Sequence, residues 1–309
     1  MSDFPAFRRL TLIGIGLIAS SIARAARVEG LATEIVCATP DADHRARALR
    51  SGLVDRAFAD NAEAVAGADL VILCTPVGVM GAVAAEIGHA LEPGTILSDV
   101  GSVKDGVVRA VAPHVPDGIH FVPAHPIAGT ENSGPDAGFA SLFRGRWCIL
   151  TPLPDGDAAA TRRLSDFWAA MGADVELMDT RHHDQVLAIT SHIPHLIAYN
   201  IVGTADDLEA VTKSEVIKFS AAGFRDFTRI AASDPTMWRD VFLNNREAVL
   251  EMLGRFTEDL AALQRAIRWS DGDALFDLFT RTRDIRRAII DAGQETDAAD
   301  FGRHVGDDT

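Results

Sequence analysis

The stretch LTLIGIGLIAS, residues 10–20, constrains the fold more than any other part of this chain. An apolar run ends at Gly14-Ile15-Gly16-Leu17-Ile18-Ala19, and an alanine-rich helical pattern follows from Leu17 to Glu29. Each small residue has a physical use. Gly14 allows a tight turn, Gly16 lets backbone approach a pyrophosphate, and Ala19 admits close helix–strand packing. The unpaired N–H groups at the helix start favour an anion. A bare GxGxxA is weak, but here it sits in the first strand–helix unit, where its mechanics require it. The stretch predicts dinucleotide binding, with Gly14, Gly16, Leu17 and Ile18 lining the cofactor.

The first half keeps alternating. Apolar runs EIVCAT (34–39), ADLVILCTP (68–76), TILSDV (95–100), HFVPA (120–124) and RWCILTP (146–152) are separated by helical stretches such as 41–52, 78–91 and 103–114. Continuous apolar strands between helices predict a parallel sheet covered on both faces. After Leu177 no strand-like run appears. Trp238, Phe242, Val249, Met252, Phe256, Leu260, Leu263 and Ile267 recur at helical spacing, which predicts one long helix over 234–267 with Asp234 as N-cap and Pro235 in its first turn. A further helix follows, with Ser270 and Asp273 spaced as a capping box. The expected organisation is an α/β dinucleotide-binding domain over 1–177 and an all-α domain over 178–309, with a frayed tail from about Gln294. The wide stripe on the long helix predicts packing on a symmetry mate, hence a homodimer.

At 309 residues two domains are expected. The formal net charge of -15 would repel a nucleic acid backbone. Cys37, Cys74 and Cys148 lie in strand-like runs and read as reduced thiols of a cytosolic protein. The start MSDFPAFRRL lacks the apolar stretch of a signal peptide, and the run Leu70–Ala85 is too short and too broken by Pro76, Gly78 and Gly81 to span a bilayer. A soluble, cytoplasmic protein without nucleic acid or membrane partners is expected.

Several polar residues gather at the strand ends, where ligands bind in such sheets. Thr39 stands where an acid usually holds the ribose 2′-hydroxyl, with Asp41 two residues on. Asp41 on the ribose favours NAD. Thr39 with His44 and Arg45 around a 2′-phosphate favours NADP. Asp41 reads equally well as a helix cap. Thr75 and Pro76 end the next core strand and are candidate cofactor contacts. Ser102 in SDVGSVKD and His125 follow later strands. His125 opens HPIAGTENSGPDAG (125–138), too long and too polar for a plain connection. His182, His183, His192 and His195 cluster, but no acidic or cysteine ligand has convincing spacing with them, so no metal is expected.

The pieces GIGLIAS, DVGSVK, HPIAGTENSGPDAG, HHDQVLAITSHIPHLIAY and GFRDFTRIAASDPTMW, with the helical second half, resemble in order and over nearly the whole chain the prephenate and arogenate dehydrogenases of tyrosine biosynthesis. The likeness is greatest to the bacterial cyclohexadienyl dehydrogenases, which often accept both substrates. The resemblance implies a Rossmann-type first domain, a helical dimer-forming second domain, and oxidation of prephenate or arogenate with NAD or NADP. It implies that His125 is the catalytic histidine, assisted by Ser102, which also sits against the nicotinamide. Arg229 matches the arginine that grips the substrate carboxylate, His195 a histidine at the mouth of the site, and Glu131 an acid paired with basic residues there. Thr130 and Arg225 join the candidate substrate contacts, although Arg225 reads equally as half of an exposed pair with Asp226.

Chemistry supports these assignments. The substrate ring carries a carboxylate and a 4-hydroxyl at opposite ends. Hydride leaves C4, a base takes the hydroxyl proton, and loss of carbon dioxide makes the ring aromatic. A neutral imidazole suits the base role, and a guanidinium can hold a carboxylate with two parallel hydrogen bonds. One rival is a β-hydroxyacid dehydrogenase; its chemistry needs a helical-domain lysine with an asparagine three residues on, and neither Lys213 nor Lys218 has one. The other rival is a nicotinamide-sensing regulator without turnover.

Overall fold

A computed structural model describes residues 6–130, 132–212 and 221–291. The chain forms two compact units, Met1–Leu250 and Glu251–Thr309. In the first, strands β1 (Phe7–Ile13), β2 (Ala32–Ala38), β3 (Arg56–Phe58), β4 (Leu70–Leu73), β5 (Ile96–Asp99) and β6 (His120–Phe121) make a parallel sheet in the order β3-β2-β1-β4-β5-β6. Helices α1 (Leu17–Glu29), α2 (Ala42–Arg50), α3 (Asn61–Val65), α4 (Met80–Ile87) and α5 (Asp105–Val111) connect them. Both faces are covered, so side chains alternate between two cores. Leu10, Leu12, Ile35, Cys37, Leu70 and Ile72 join one; Ile13, Val36, Ala38, Val71 and Leu73 join the other.

The strand order reverses direction between β1 and β4, opening a crevice beyond their carboxyl ends. Backbone bonds hold those ends side by side: Gly14 N–H donates to Ala38 O at 2.8 Å, Cys74 N–H to Ile13 O at 2.8 Å and Val100 N–H to Leu73 O at 3.1 Å.

A second sheet departs from the expected all-parallel plan. HFVPA is not one strand. β6 ends at Phe121, and after Val122 and Pro123 the chain starts β7 (Ala124–Pro126), which pairs antiparallel with β8 (Trp147–Leu150); β9 (Asp174–Leu177) runs parallel to β8. Pro123 offers no N–H to a ladder, and its carbonyl turns to Thr151 N–H at 2.9 Å. Helix α6 (Ala158–Ala170) joins β8 to β9 and buries Phe167 and Trp168.

Helices α7 (Thr180–Leu187), α8 (Ile193–Thr212), α9 (Ala222–Thr228) and α10 (Pro235–Asn244) follow, with a π-helical turn at Ala188–His192. By length and composition the run Thr180–Leu208 could cross a bilayer. It buries His183, Asp184 and His192 in hydrogen bonds within the first unit. Trp238 and Val241 of α10 enter the second core beside the sheet.

The single long helix expected over 234–267 is broken. α10 stops at Asn244, and α11 (Arg246–Arg268) begins after Asn245. The buried Asn245 side chain is drawn inward to Asp184 O at 2.9 Å and His192 Nδ1 at 3.1 Å, and its backbone leaves helical geometry. α12 (Gly272–Ile289) is capped by Asp271, whose carboxylate accepts from Ala274 N–H at 3.0 Å. Ser270 is therefore not the cap; it turns the chain with φ +57°. Within the second unit Ile267, Trp269, Phe276, Phe279 and Ile285 are exposed.

Candidate functional site

The crevice at the end of β1 is formed by backbone and by missing side chains. Gly14 has φ +95°, and a Cβ there would lie 2.8 Å from Cys74 O, so only glycine fits. Gly16 is different: nothing lies within 4 Å of where its Cβ would be. Its smallness relieves no internal contact, which is how a cradle for an approaching ligand is built. Gly16 is the N-cap of α1, with no side-chain cap and no acid in the first turn, so no acid of that turn competes with an anion for its N–H groups. Leu17 and Ile18 begin this turn and are half-buried. Across from them the Thr75 hydroxyl is buried and has no hydrogen-bond partner, as expected of a group kept for a ligand. Pro76 beside it is exposed. These features fit a dinucleotide.

At the end of β2, Thr39 is buried. Asp41 caps α2, its Oδ1 accepting from Asp43 N–H at 2.8 Å and His44 N–H at 3.0 Å. Those bonds, with the nearby His44 and Arg47 charges, hold its carboxyl below the usual carboxylate range, although it is exposed. The helix-cap reading of Asp41 thus describes its fold role, and Oδ2 remains turned towards His44 at 3.9 Å. The Arg45 guanidinium donates to Thr39 O at 2.7 Å and Pro40 O at 2.9 Å, and Arg47 pairs with Asp136 at 2.7 Å. The polar loop after His125 is thereby strapped onto α2. It also docks on α1: Phe139 N–H donates to Ser21 Oγ at 3.1 Å, and a Cβ on Gly138 would strike Ser20.

His125 lies within β7 and is 7% exposed. Its Nδ1 is 2.8 Å from His183 Nε2, and His183 Nδ1 is 2.8 Å from Asp184 Oδ1. Asp184 also accepts from the backbone N–H groups of Lys104 at 2.8 Å and Asp105 at 2.9 Å, so α7 and the start of α5 share one carboxylate. Beneath them Lys104 is fully buried, paired to Asp99 and donating to Ala124 O at 2.6 Å. Ala124 N–H reaches Asp99 Oδ1 at 3.3 Å. A carboxylate at the end of β5 thus replaces a backbone ladder in holding β7 beside the main sheet. Burial pushes the His125 imidazole well below its ordinary value, and the His183, Lys104 and His192 charges push the same way. Burial also lowers His183, against the opposing pull of its bond to Asp184.

Ser102 is half-buried between Gly101, bonded to Asp99, and Lys104. His192 faces the Ser102 backbone and is pushed down to about 4, chiefly by burial. Further out, His195 donates from Nδ1 to Ser191 O at 2.9 Å and stacks on Trp238 at 3.7 Å between ring centroids. Its imidazole is lowered by burial, and the Arg229 guanidinium acts on it in the same direction. Arg229, half-buried after α9, is thus electrostatically coupled to His195. Arg225 is exposed on α9, and exposed Thr130 accepts from Asn132 N–H at 3.2 Å. Glu131 lies outside the described residues.

The structure brings Ser102 and His125 to one buried polar cluster and His195 towards Arg229, while the contacts of Thr130 are local to its own loop. Sequence reasoning missed Asp99, Lys104, His183, Asp184, His192 and Asn245 as parts of this cluster. The signal for two of them was present: a carboxylate inside TILSDV and a lysine in DVGSVK are charges in segments otherwise fit for a core. Among the described residues, no group of three or more His, Cys, Asp or Glu side chains is arranged to hold a metal.

Fold and crevice define a Rossmann-type dinucleotide-binding protein with a helical continuation. Residues 22–177 match the family described as prephenate dehydrogenase, nucleotide-binding domain, and residues 179–281 the prephenate dehydrogenase dimerization domain. The chain is 42% identical over 285 residues to the cyclohexadienyl dehydrogenase of Zymomonas mobilis, covering 92% of this chain and 96% of the relative. It is 32% identical to the prephenate dehydrogenase of Bacillus subtilis, covering 91% and 76%. A crystal structure of prephenate dehydrogenase from Aquifex aeolicus, in complex with hydroxyphenyl propionate and NAD+, superposes with a TM-score of 0.86 at 30% identity, covering 92% of this chain and 99% of that one. The chain belongs to the prephenate dehydrogenase family.

Proposed function

We propose that this protein catalyses NAD-linked oxidative decarboxylation of prephenate, arogenate or both. The products are 4-hydroxyphenylpyruvate and tyrosine respectively. The observation that carries this reading is the buried His125 imidazole, kept neutral by its surroundings in a chain of this family. Gly14, Gly16, Leu17, Ile18, Thr39, Asp41, Thr75 and Pro76 would hold the dinucleotide. When bound, the nicotinamide supplies a hydride acceptor. His125 takes the proton of the substrate 4-hydroxyl as hydride leaves C4. Ser102 orients the hydroxyl. Arg229 grips a substrate carboxylate and fixes the ring by position, and His195, held flat by Trp238, shapes the mouth with Thr130, Arg225 and Glu131. Carbon dioxide then leaves the ring, the electron pair of the broken bond passes to the C4 oxygen, which takes the proton back from His125, and the ring becomes aromatic.

NAD rather than NADP is favoured by the charges at the end of β2. The Arg45 guanidinium is engaged with carbonyls and Arg47 with Asp136, while the Asp41 carboxylate would repel a 2′-phosphate. A functional division at 177/178 is supported by the end of β9 at Leu177 and by the separate family matches. A homodimer through the helical part is supported by the match to a dimerization domain and by the exposed Ile267, Trp269, Phe276, Phe279 and Ile285. Three free cysteines, two of them buried, support a reducing cytoplasmic setting. The test is absorbance of reduced nicotinamide with both substrates and both cofactors. A rise with NAD and at least one substrate is expected; no rise in any pairing refutes the reading.

A further inference from the structure

The geometry points to a positioning pair, His183 and Asp184, which fixes the tautomer of His125 so that its lone pair lies on Nε2. This rests on the proposed role of His125 as the base. Both oxygens of Asp184 already accept from backbone N–H groups, of Lys104 and of Asp105. Towards the adjacent ring at 2.8 Å the carboxylate therefore acts as an acceptor, and His183 Nδ1 carries a proton. In a neutral ring with a proton on Nδ1, Nε2 must accept. That nitrogen lies 2.8 Å from His125 Nδ1, so His125 donates from Nδ1 and keeps its lone pair on Nε2.

Two observations keep the chain of bonds in this sense. His183 is fully buried, and burial lowers both His125 and His183, which favours neutral rings throughout the chain of bonds. The groups facing the pair are Lys104, Asp99, His192 and Asp184, and His192 is held apart by Asn245, whose amide donates to His192 Nδ1 at 3.1 Å. The carboxylate does not touch the reacting atoms. It acts two bonds away, by deciding which nitrogen of His125 can take a proton. Without His183 the His125 ring loses its Nδ1 acceptor, and the tautomer protonated on Nε2, useless as a base at that atom, becomes populated.

The test uses two variants and one spectrum. In His183→Asn the short amide can still reach Asp184 but not His125; in His183→Gln the longer side chain returns an acceptor near the old Nε2 position. His183→Asn is expected to lower kcat by at least ~30-fold, by analogy with the loss seen when an orienting carboxylate sets the wrong tautomer, with KM and NAD affinity changed less than about threefold. His183→Gln is expected to keep at least about ten times the kcat of His183→Asn, since general-base catalysis returns with the acceptor. Equal kcat in the two variants, or near-normal kcat in His183→Asn, overturns the pair. The 15N-histidine spectrum of the unaltered protein, with His125 assigned by comparison with His125→Asn, decides the matter even if neither variant folds. A proton on Nδ1 supports the assignment, and a proton on Nε2 contradicts it. Because the spectrum needs no substrate, it is independent of the proposed activity: a protein inactive with prephenate and arogenate refutes the function, not the bond pattern.

Discussion

The two ends of the crevice are built in opposite ways. Around Gly14 and Gly16 the structure offers backbone and vacant volume, with the Thr75 hydroxyl left unpaired. Around His125 it offers the reverse: Asp99, Lys104, His183, Asp184 and Asn245 are buried and bonded to one another or to backbone. A cofactor that binds and leaves needs room and unpaired donors. A base that must present one nitrogen needs neighbours that fix it. The first end should respond to substitution mainly in affinity, the second mainly in turnover and folding.

The largest effect that would sharpen this contrast is at the base itself. His125→Asn should lower kcat by ~10²–10⁴-fold, the usual worth of a general base, with substrate KM little changed, as steady-state kinetics would report. Lys104→Met comes next. It leaves the buried Asp99 carboxylate without its partner and should cost ~3–5 kcal/mol of folding stability, read as a lower urea midpoint. An unchanged midpoint would break the claim that the His125 end is held by its buried pair. Arg229→Ala should then raise KM by ~10–100-fold, the worth of one charge-assisted contact, with kcat altered less.

Acid should weaken the His125 end selectively. His192 is lowered from its ordinary 6.5 to about 4, and His125 and His183 are lowered too. The unfolded chain therefore binds protons that the folded one refuses, so this stability is present above about pH 6.5 and is lost as pH falls towards 4. Urea midpoints taken between pH 7.5 and 5 should fall with pH, and the acid limb of kcat/KM should lie below the ordinary imidazole range. The smallest effects belong to the glycines. Gly14→Ala meets Cys74 O and a left-handed φ, and should cost ~1–3 kcal/mol. Gly16→Ala meets nothing in the protein and should leave the midpoint within ~0.5 kcal/mol while weakening NAD binding, which calorimetry would show. Equal behaviour of the two glycines would remove the distinction between a structural turn and a cradle.

How much was legible in the sequence follows the same divide. A glycine turn is a local matter, decided within LIGIGLIAS, so the cradle and the strand–helix alternation were readable from spacing alone. The His125 cluster is not local: His183 is 58 residues away, and Asp184 reaches Lys104 across 80. HHD in a helical stretch could be weighed only with the nearby His192 and His195, because nothing nearby in sequence announced its partner in β7. HFVPA likewise looked like one strand, since the change of sheet depends on Asp99 capturing Ala124 N–H. The long helix hid its break because Asn245 continues the apolar spacing around it, and only its distant partners Asp184 and His192 pull it inward.

A crystal structure with NAD and an unreactive analogue bearing both the ring carboxylate and the 4-hydroxyl tests the central claim most directly. We expect His125 Nε2 within hydrogen-bond reach of the hydroxyl, about 2.6–3.2 Å, and the Arg229 guanidinium on a carboxylate of the same molecule. An analogue bound with His125 and Arg229 facing different cavities would contradict it.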